Sequence, residues 1–243
     1  MLQQSGYSGR VLYRLGRGPG SLARPGGPCH SMCMKTANRV HGVYLITDGV
    51  PRDLQALEAW YAPLLSAGVS MLQYRDKSDD RQRRREEAGL LARLCREHGA
   101  LFIVNDDVVL ARDCGADGVH LGRDDGAVAS GRRLLGADAV IGVSCYGSLE
   151  RAEHLAADGA DYLAFGSVYA SPTKPQAPRV SLETLVEARR RFPHPVVAIG
   201  GIDVDNARPV VDTGVDALAV IQGVHGVADP MAAVRRLTEL MKR

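Results

Sequence analysis

The 243-residue chain is poor in aromatic residues, which make up 5% of it, and it lacks long apolar runs. No run approaches the roughly 18 residues that a membrane-spanning helix needs, so we expect no membrane contact. The five cysteines are odd in number and irregularly spaced, which argues against a disulfide framework and favours a reducing, cytoplasmic location. Hydrophobic residues still reach 45%, a composition that suits parallel strands alternating with helices.

Acidic residues are absent from residues 1–47, which carry six basic ones. The rest of the chain therefore holds 24 of the 30 basic residues and all 28 acidic residues, a net charge of −4. Binding to a nucleic-acid backbone needs a basic surface. The charge distribution therefore argues against a nucleic-acid partner.

Residues 1–40 are rich in Gly, Pro and Arg and show neither helix nor strand periodicity. We predict a disordered extension there, followed by one catalytic domain over residues 41–243. Three interpretations of the extension stay open: an upstream start codon or added sequence, with Met32 or Met34 nearer the natural start; a functional disordered arm; or an organelle transit segment. No apolar segment precedes a cleavage site, so secretion is not expected.

From residue 41 onward a short apolar run, a polar loop and a helical segment recur. The predicted strands are Val43–Thr47, Ser70–Tyr74, Leu101–Asn105, Gly118–Leu121, Ala139–Val143, Tyr162–Phe165, Val196–Ile199 and Ala217–Val220. Helical periodicity is plain at Leu54–Ser66, Asp80–His98, Leu149–Asp158, Ser181–Phe192 and Pro230–Lys242. Eight such units in about 200 residues predict a single (β/α)8 TIM barrel, and a doubly wound sheet is the alternative. Gly-Ala-Asp, or a near match, precedes several strands and is interpreted as a structural turn.

Polar side chains follow the second predicted strand at the end where a TIM barrel carries its catalytic groups. Gln73, Arg75 and Lys77 occupy alternate positions and so point the same way. A planar guanidinium together with a mobile ammonium suits a diphosphate, whereas an exposed loop of unrelated charges is the alternative. A nearby group of arginines is predicted to form a solvated helix face: Arg81, Arg83, Arg84 and Arg85.

Carboxylates follow the next two predicted strands. Asn105, Asp106 and Asp107 come after the third strand, and Gly122–Asp125 come after the fourth. Magnesium takes one or two protein carboxylates and completes its octahedron with phosphate oxygens and water, so one carboxylate from each loop fits a magnesium site. Neither motif contains a partner cation for its metal carboxylate. Helix capping is the alternative: it is our expectation for Asp107 and stays open for Asp124. His120 is predicted either to contact substrate or to pack as a hydrogen-bonded core residue.

Hydroxyls and glycines complete the candidate site. The segment Ser171–Pro175, after the sixth strand, offers two hydroxyls and an ammonium to an anionic ligand. Gly200–Gly201 and Ile221–Gly223 follow the seventh and eighth strands, where TIM barrels commonly bind phosphate through backbone amides. Ser144, after the fifth strand, is a candidate hydrogen-bond donor to substrate, whereas Cys145 is expected to pack.

Together these segments resemble the thiamine phosphate synthase family over about residue 42 to the C terminus. The resemblance lies in Tyr44–Asp48, Gln73–Lys77, Val104–Asp107, Asp117–Gly122, Gly142–Ser144, Thr173–Lys174 and Ala198–Ile202. It implies a magnesium-dependent transferase that joins 4-amino-5-hydroxymethyl-2-methylpyrimidine diphosphate to 4-methyl-5-(2-phosphoethyl)thiazole, or to its carboxylated form. The products would be thiamine phosphate and pyrophosphate, in the last step of thiamine phosphate biosynthesis. It implies small-molecule substrates and is compatible with a homo-oligomer.

The resemblance also implies roles for individual residues. The pyrimidine diphosphate would be bound by Gln73, Arg75, Lys77, Asn105, Ser144 and Lys174, of which Arg75, Lys77, Ser144 and Lys174 would be catalytic. Magnesium would be held by Asp106 and Asp125. The thiazole phosphate would be bound by Ser171, Thr173, Gly201, Ile221 and Gln222. The chain departs from the family where Ser171 replaces a frequent Thr, Arg123 a usual Gln and Gln222 a common Ser.

The candidate residues include no nucleophile–base pair and no reactive cysteine at a strand end. We therefore expect a dissociative displacement in which positive charge stabilises the departing pyrophosphate and the thiazole nitrogen captures the pyrimidine cation. A related thiazole tautomerase is one alternative, but it would not need Arg75, Lys77, Asp125 and Lys174 together. A catalytically silent sensor of thiamine precursors is another, and it would lose the metal carboxylates.

Overall fold

Eight parallel strands pair in chain order and close into a barrel through β1 and β8. The structure is a computed structural model that describes residues 39–123, 127–170 and 178–242. The strands are β1 Gly42–Ile46, β2 Val69–Tyr74, β3 Leu101–Asn105, β4 Gly118–Leu121, β5 Val140–Tyr146, β6 Tyr162–Phe165, β7 Val196–Ile199 and β8 Ala217–Val220. The predicted (β/α)8 barrel is thereby confirmed, and β3, β4, β6, β7 and β8 have the predicted bounds.

Helices follow the strands around the outside of the barrel. Those in the described ranges are α1 Leu54–Ser66, α2 Arg81–His98, α3 Val108–Asp113, α4 Val128–Leu135, α5 Leu149–Ala157, α6 Leu182–Arg191, α7 Ala207–Asp212, α8 Gln222–His225 and α9 Pro230–Met241. Periodicity predicts the longer ones, but α3, α4, α7 and α8 are too short for an apolar period to show. Several helices begin at a residue whose side chain accepts a backbone N–H three positions later: Asp53, Asp80, Ser148, Ser181 and Asp229. None of the helices in these ranges has the length and apolar character that a bilayer crossing requires.

Alternate residues along each strand belong to two different cores. Val43 and Leu45 of β1 pack between the strands and the surrounding helices, whereas Tyr44 and Ile46 face the barrel interior. This alternation follows from the two-residue period of a strand. Alternate residues continue to face inward beyond the apolar part of each strand. The polar side chains at the carboxyl ends of the strands therefore lie at the mouth of the barrel.

The opposite end of the barrel is held by three aspartates from the Gly-Ala-Asp type of motif. Each carboxylate accepts a hydrogen bond from a backbone N–H of the preceding strand and also pairs with an arginine. The hydrogen bonds join Asp117 to Phe102 N at 2.9 Å, Asp161 to Ile141 N at 2.7 Å and Asp216 to Val196 N at 2.7 Å. The ion pairs join them to Arg39, Arg132 and Arg189. These aspartates are structural, as the sequence predicts.

The fifth strand is longer than predicted, and this changes the position of one candidate residue. β5 continues to Tyr146, so Ser144 lies within the strand and not after it. Cys145 is fully buried in the outer core, which leaves its neighbour Ser144 on the inner face. The predicted strand stopped at Val143 because the two polar or small residues that follow mask the strand pattern.

Candidate active site

The predicted site residues in the described ranges lie on the last residues of strands or on the loops that follow them. They are Gln73, Arg75, Lys77, Asn105, Asp106, Ser144, Gly201, Ile221 and Gln222. Four further candidates, Asp125, Ser171, Thr173 and Lys174, fall outside the described residues, as does most of the predicted N-terminal extension. The described part of the site is therefore formed by the ends of β2 to β5 and of β7 and β8, with the loops that follow them.

The backbone of Arg75 is fixed by hydrogen bonds to a buried threonine. Thr47 Oγ1 donates to the carbonyl oxygen of Arg75 at 3.1 Å and accepts from its backbone nitrogen at 2.8 Å. Thr47 is 5% exposed. The loop after β2 is thus fastened to the end of β1, which restricts the region that the Arg75 guanidinium can reach.

The arginines at the start of α2 do more than cover a solvated face. Arg83 donates to Asp76 at 2.6 Å and to Ser78 at 2.8 Å, and Arg84 pairs with Asp107 at 3.0 Å. For Arg83 and Arg84 the solvated-face prediction is wrong, because the first turn of α2 abuts the loops after β2 and β3. Burial acts to raise the pKa of Asp76, but hydrogen bonds from Ser78 and the charge of Arg83 hold it below its ordinary value.

Lys77 and Asp106 form an ion pair across the loops after β2 and β3. Asp106 has φ of 64°, and its backbone N–H donates to the carbonyl oxygen of His120 at 2.8 Å. The side chain is therefore fixed at the mouth by an unusual backbone conformation for a non-glycine residue. The Asn105–Asp107 motif itself supplies no partner cation, as predicted, and the cation that pairs with Asp106 comes from another loop.

Asp107 caps the following helix, as predicted. Its carboxylate accepts from the backbone nitrogen of Leu110 at 2.9 Å, at the start of α3. Adjacent carboxylates therefore have different environments, because Asp106 faces the mouth and Asp107 faces the helix.

The donor set suits magnesium better than a metal enclosed by protein. Within the described ranges, no group of three or more His, Cys, Asp and Glu side chains could hold a metal ion. The side chain of Asp106 is 22% exposed and beside a cation. Magnesium commonly takes one or two carboxylates and fills its other positions with phosphate oxygens and water, so Asp106 fits such a site.

Loops after β6 and β7 meet through their backbones at the Gly200–Gly201 turn. Both glycines have positive φ, 111° and 63°, which side-chain-bearing residues rarely adopt. A Cβ on Gly201 would lie 2.2 Å from the carbonyl oxygen of Ala170, and one on Gly200 would lie 2.1 Å from Ser167 Oγ. Glycine is therefore required here, and the loop that leads to residue 171 is placed against this turn.

The short helix α8, which directly follows β8, packs on the residues after this turn. A Cβ on Gly223 would lie 2.3 Å from the carbonyl oxygen of Ile202. This close approach places the segment after β8 against Ile202, the residue that follows Gly201. The exposed side chain of Gln222 lies near Gly226.

Gln73 and Ser144 are linked through the barrel interior. Gln73 Nε2 donates to the Tyr44 hydroxyl at 2.7 Å, and His120 Nε2 lies 2.9 Å from Ser144 Oγ. The hydroxyl of Tyr162 lies between Tyr44 and His120, at 2.8 and 2.9 Å. His120 is 9% exposed and hydrogen-bonded, as the packing interpretation predicts. The sequence-based prediction omits these two tyrosines. A hydroxyl-bearing residue at an inward-facing position of a strand, as in β1 and β6, is the signal that could identify them.

Cys145 and Tyr146 follow Ser144 and differ in their roles. Burial raises the pKa of Cys145 to about 12, which agrees with the predicted packing role and leaves no reactive thiolate. The ring of Tyr146 lies under the guanidinium of Arg123, 4.8 Å from its carbon to the ring centroid. Arg151 donates to the carbonyl oxygen of Ser144 at 2.9 Å. The guanidinium groups of Arg123 and Arg151 therefore lie against the end of β5.

Comparison with known proteins gives consistent results. The family described as thiamine monophosphate synthase matches residues 43–224. A thiamine-phosphate synthase of Halorhodospira halophila is 53% identical over 209 residues, covering 86% of this chain and 98% of the relative. One from Chromobacterium violaceum is 53% identical over 200 residues, covering 82% and 95%. The solved thiamine phosphate pyrophosphorylase from Pyrococcus furiosus has a TM-score of 0.75 and 36% identity, covering 84% of this chain and 96% of its own.

Proposed function

The chain belongs to the thiamine monophosphate synthase family of transferases, and we propose that it joins 4-amino-5-hydroxymethyl-2-methylpyrimidine diphosphate to 4-methyl-5-(2-phosphoethyl)thiazole or its carboxylated form. The observation that carries the proposal is the pairing of Asp106 with Lys77, which lies on the same loop as Arg75. A cation and a carboxylate at one mouth suit a diphosphate that arrives with a divalent ion.

The chain's own residues would bind the diphosphate through charge and geometry. Arg75 donates paired N–H groups from a fixed backbone position, and Lys77 moves from Asp106 to a phosphate oxygen. Asn105 and Ser144 add neutral hydrogen bonds, and Lys174 adds a further charge. A magnesium ion at Asp106 and Asp125 would supply positive charge to the diphosphate oxygens.

The reaction breaks the bond between the pyrimidine methylene carbon and the diphosphate oxygen, and the electron pair leaves with pyrophosphate. The thiazole nitrogen then forms a bond to the same carbon, giving thiamine phosphate. Arg75, Lys77 and Lys174 stabilise the negative charge that develops on the leaving group, and no protein nucleophile takes part.

The thiazole phosphate would bind in the sector of β7 and β8. The contact of Gly201 with the loop after β6 and of Gly223 with Ile202 supports this, because it packs the segments after β6, β7 and β8 together where a TIM barrel commonly binds phosphate. Ile221 and Gln222 would contribute backbone N–H groups. Ser171 and Thr173 would add hydroxyls from the loop that begins beside Gly201.

The proposal is tested with the purified full chain and both substrates. Pyrophosphate and thiamine phosphate should appear in equal amounts, and only when magnesium and both substrates are present. Arg75→Met should lower kcat/KM for the pyrimidine diphosphate, whereas Arg81→Met, at the exposed start of α2, should not. A parent protein that binds the substrates without releasing pyrophosphate would instead favour the sensor alternative. Isomerisation of the thiazole carboxylate alone would favour the tautomerase.

A further inference from the structure

Five side chains form a continuous series of hydrogen bonds inside the barrel, here named the inner hydrogen-bond chain. In order they are Gln73, Tyr44, Tyr162, His120 and Ser144, from β2, β1, β6, β4 and β5. The four contacts measure 2.7, 2.8, 2.9 and 2.9 Å. Its two ends, Gln73 and Ser144, are predicted pyrimidine-diphosphate ligands on inward strand positions, whereas its three central residues have no role in the proposed function.

The amide nitrogen of Gln73, the first group in the series, sets the direction in which the hydrogen bonds are donated. Gln73 Nε2 is a donor only, so the Tyr44 oxygen accepts from it. Both tyrosines are buried, and a buried hydroxyl hydrogen without an acceptor is costly. In the described contacts Tyr162 is the acceptor left for the Tyr44 hydrogen, and His120 Nδ1 is then the acceptor left for the Tyr162 hydrogen. Nδ1 is then an acceptor.

Because Nδ1 accepts a hydrogen bond, the neutral imidazole of His120 carries its proton on Nε2. Nε2 donates to Ser144 Oγ, which leaves the serine proton for a ligand. At the other end the series uses the amide nitrogen of Gln73 and leaves the amide oxygen as the acceptor for a ligand.

We propose that Tyr44, Tyr162 and His120 are positioning residues that present Gln73 as an acceptor and Ser144 as a donor, and thereby select an aminopyrimidine over its oxo counterpart. An aminopyrimidine offers an amino donor and a ring-nitrogen acceptor, which complement that pair. The 4-oxo analogue offers an acceptor and an N–H donor in the corresponding places. The inference rests on the proposed function.

The surroundings of the tyrosines favour a specific arrangement over simple filling of the core. Tyr162 is fully buried and Tyr44 is 1% exposed, and an apolar ring at either place would pack without needing a partner. A Cβ on Gly142 would lie 1.9 Å from Cζ of Tyr162, so the neighbouring strand leaves space for this ring. The His120 ring is stacked on it, with centroids 5.6 Å apart. Burial raises the pKa of both tyrosines, so they keep the protons that the series needs.

The first test compares Tyr162→Phe with Tyr61→Phe in the full chain. Tyr61 is equally buried but lies on α1 outside the barrel. Equilibrium binding of the pyrimidine diphosphate and of its 4-oxo analogue is measured with magnesium and without thiazole phosphate. Tyr162→Phe removes the hydroxyl that donates to His120, so Ser144 is no longer held as a donor to the ligand. The preference for the amino compound should therefore fall about tenfold or more. Thiazole phosphate affinity should not change, and Tyr61→Phe should keep the parent preference.

An unchanged preference in Tyr162→Phe, or an equal loss of affinity for both pyrimidines and for thiazole phosphate, would overturn the inference. Tyr44→Phe provides the same comparison if Tyr162→Phe does not fold.

A second measurement needs neither turnover nor a substrate. The ¹⁵N chemical shifts of His120, assigned with His120→Gln, should show protonated Nε2 and unprotonated Nδ1 in the parent chain. A proton on Nδ1 would refute the direction of the series. Because this result is independent of activity, it separates failure of the inference from failure of the proposed function.

Discussion

Lys77 and Asp106 are ion-paired although they lie 29 residues apart and follow different strands. Each therefore holds the other at the mouth of the barrel, where a diphosphate with its metal ion would contact both. Binding of that ligand would exchange one protein ion pair for contacts of Lys77 with phosphate and of Asp106 with the metal. The two residues would thus connect phosphate affinity to metal affinity in the proposed function.

Asp106→Asn should raise the magnesium concentration needed for half-maximal rate by at least about tenfold, the effect of losing even an outer partner of a metal site. Excess magnesium should restore part of the rate. Initial rates over a magnesium titration measure this. Asp107→Asn is the matched control, because asparagine also caps helices well and the residue faces α3. The same magnesium requirement in both variants would remove Asp106 from the metal site.

Gly201→Ala should weaken thiazole phosphate binding and lower stability more than Gly99→Ala does. Both glycines have similar positive φ, 63° and 69°, so the cost of that conformation, about 1 kcal/mol, is common to them. Only at Gly201 does the added Cβ also meet the carbonyl oxygen of Ala170, whereas Gly99 has open space. KM for thiazole phosphate and urea unfolding of both variants distinguish the two effects. Equal changes in the two proteins would refute the close-contact explanation.

His225 should make the protein less stable as the pH falls below its ordinary pKa of 6.5. Its Nδ1 accepts from Trp60 Nε1 at 3.2 Å and its Nε2 donates to Ile46 O at 3.0 Å, so the folded protein holds it neutral. Burial lowers its pKa even though Asp48 lies nearby and acts to raise it. The unfolded chain therefore binds this proton at higher pH. Stability is full above pH 6.5 and declines as the pH falls from there to the lowered folded pKa.

The measurement is the free energy of unfolding in urea at pH 7.5 and at pH 5.5. His225→Gln keeps one donor and one acceptor but does not titrate, so its stability should depend less on pH in this range. His154→Gln, at an exposed position on α5, should retain the parent dependence. An identical decline in the parent and in His225→Gln would contradict the prediction.

Lys174→Met should slow the chemical step by roughly 100-fold or more, the scale of losing one preorganised charge contact. Methionine keeps approximately the length of the side chain and removes its charge. Thiazole phosphate affinity should change much less. Single-turnover rates provide the measurement, and Lys242→Met, near the end of α9, is the control. An unchanged single-turnover rate would exclude Lys174 from stabilising the leaving group.

Local features of the sequence predicted the barrel well. Apolar runs of four to five residues gave β3, β4, β6, β7 and β8 with their observed bounds. Asp107 was predicted as a cap because capping depends only on the next three residues. The extension of β5 to Tyr146 was missed, since pairing with the neighbouring strands overrides a weak local pattern.

The sequence by itself determined which residues form strands and helices and which polar groups follow each strand, because these depend on local periodicity and capping. Only the tertiary structure decided which of those groups meet. Barrel closure brings the hydroxyls of Tyr44 and Tyr162, 118 positions apart, to 2.8 Å. Pairing of β2 with β3 also places Lys77 against Asp106 and Arg84 against Asp107, contacts that local sequence does not encode. The reason is geometric: contacts within one element repeat with its period, whereas contacts between strand ends depend on the order and closure of the whole sheet.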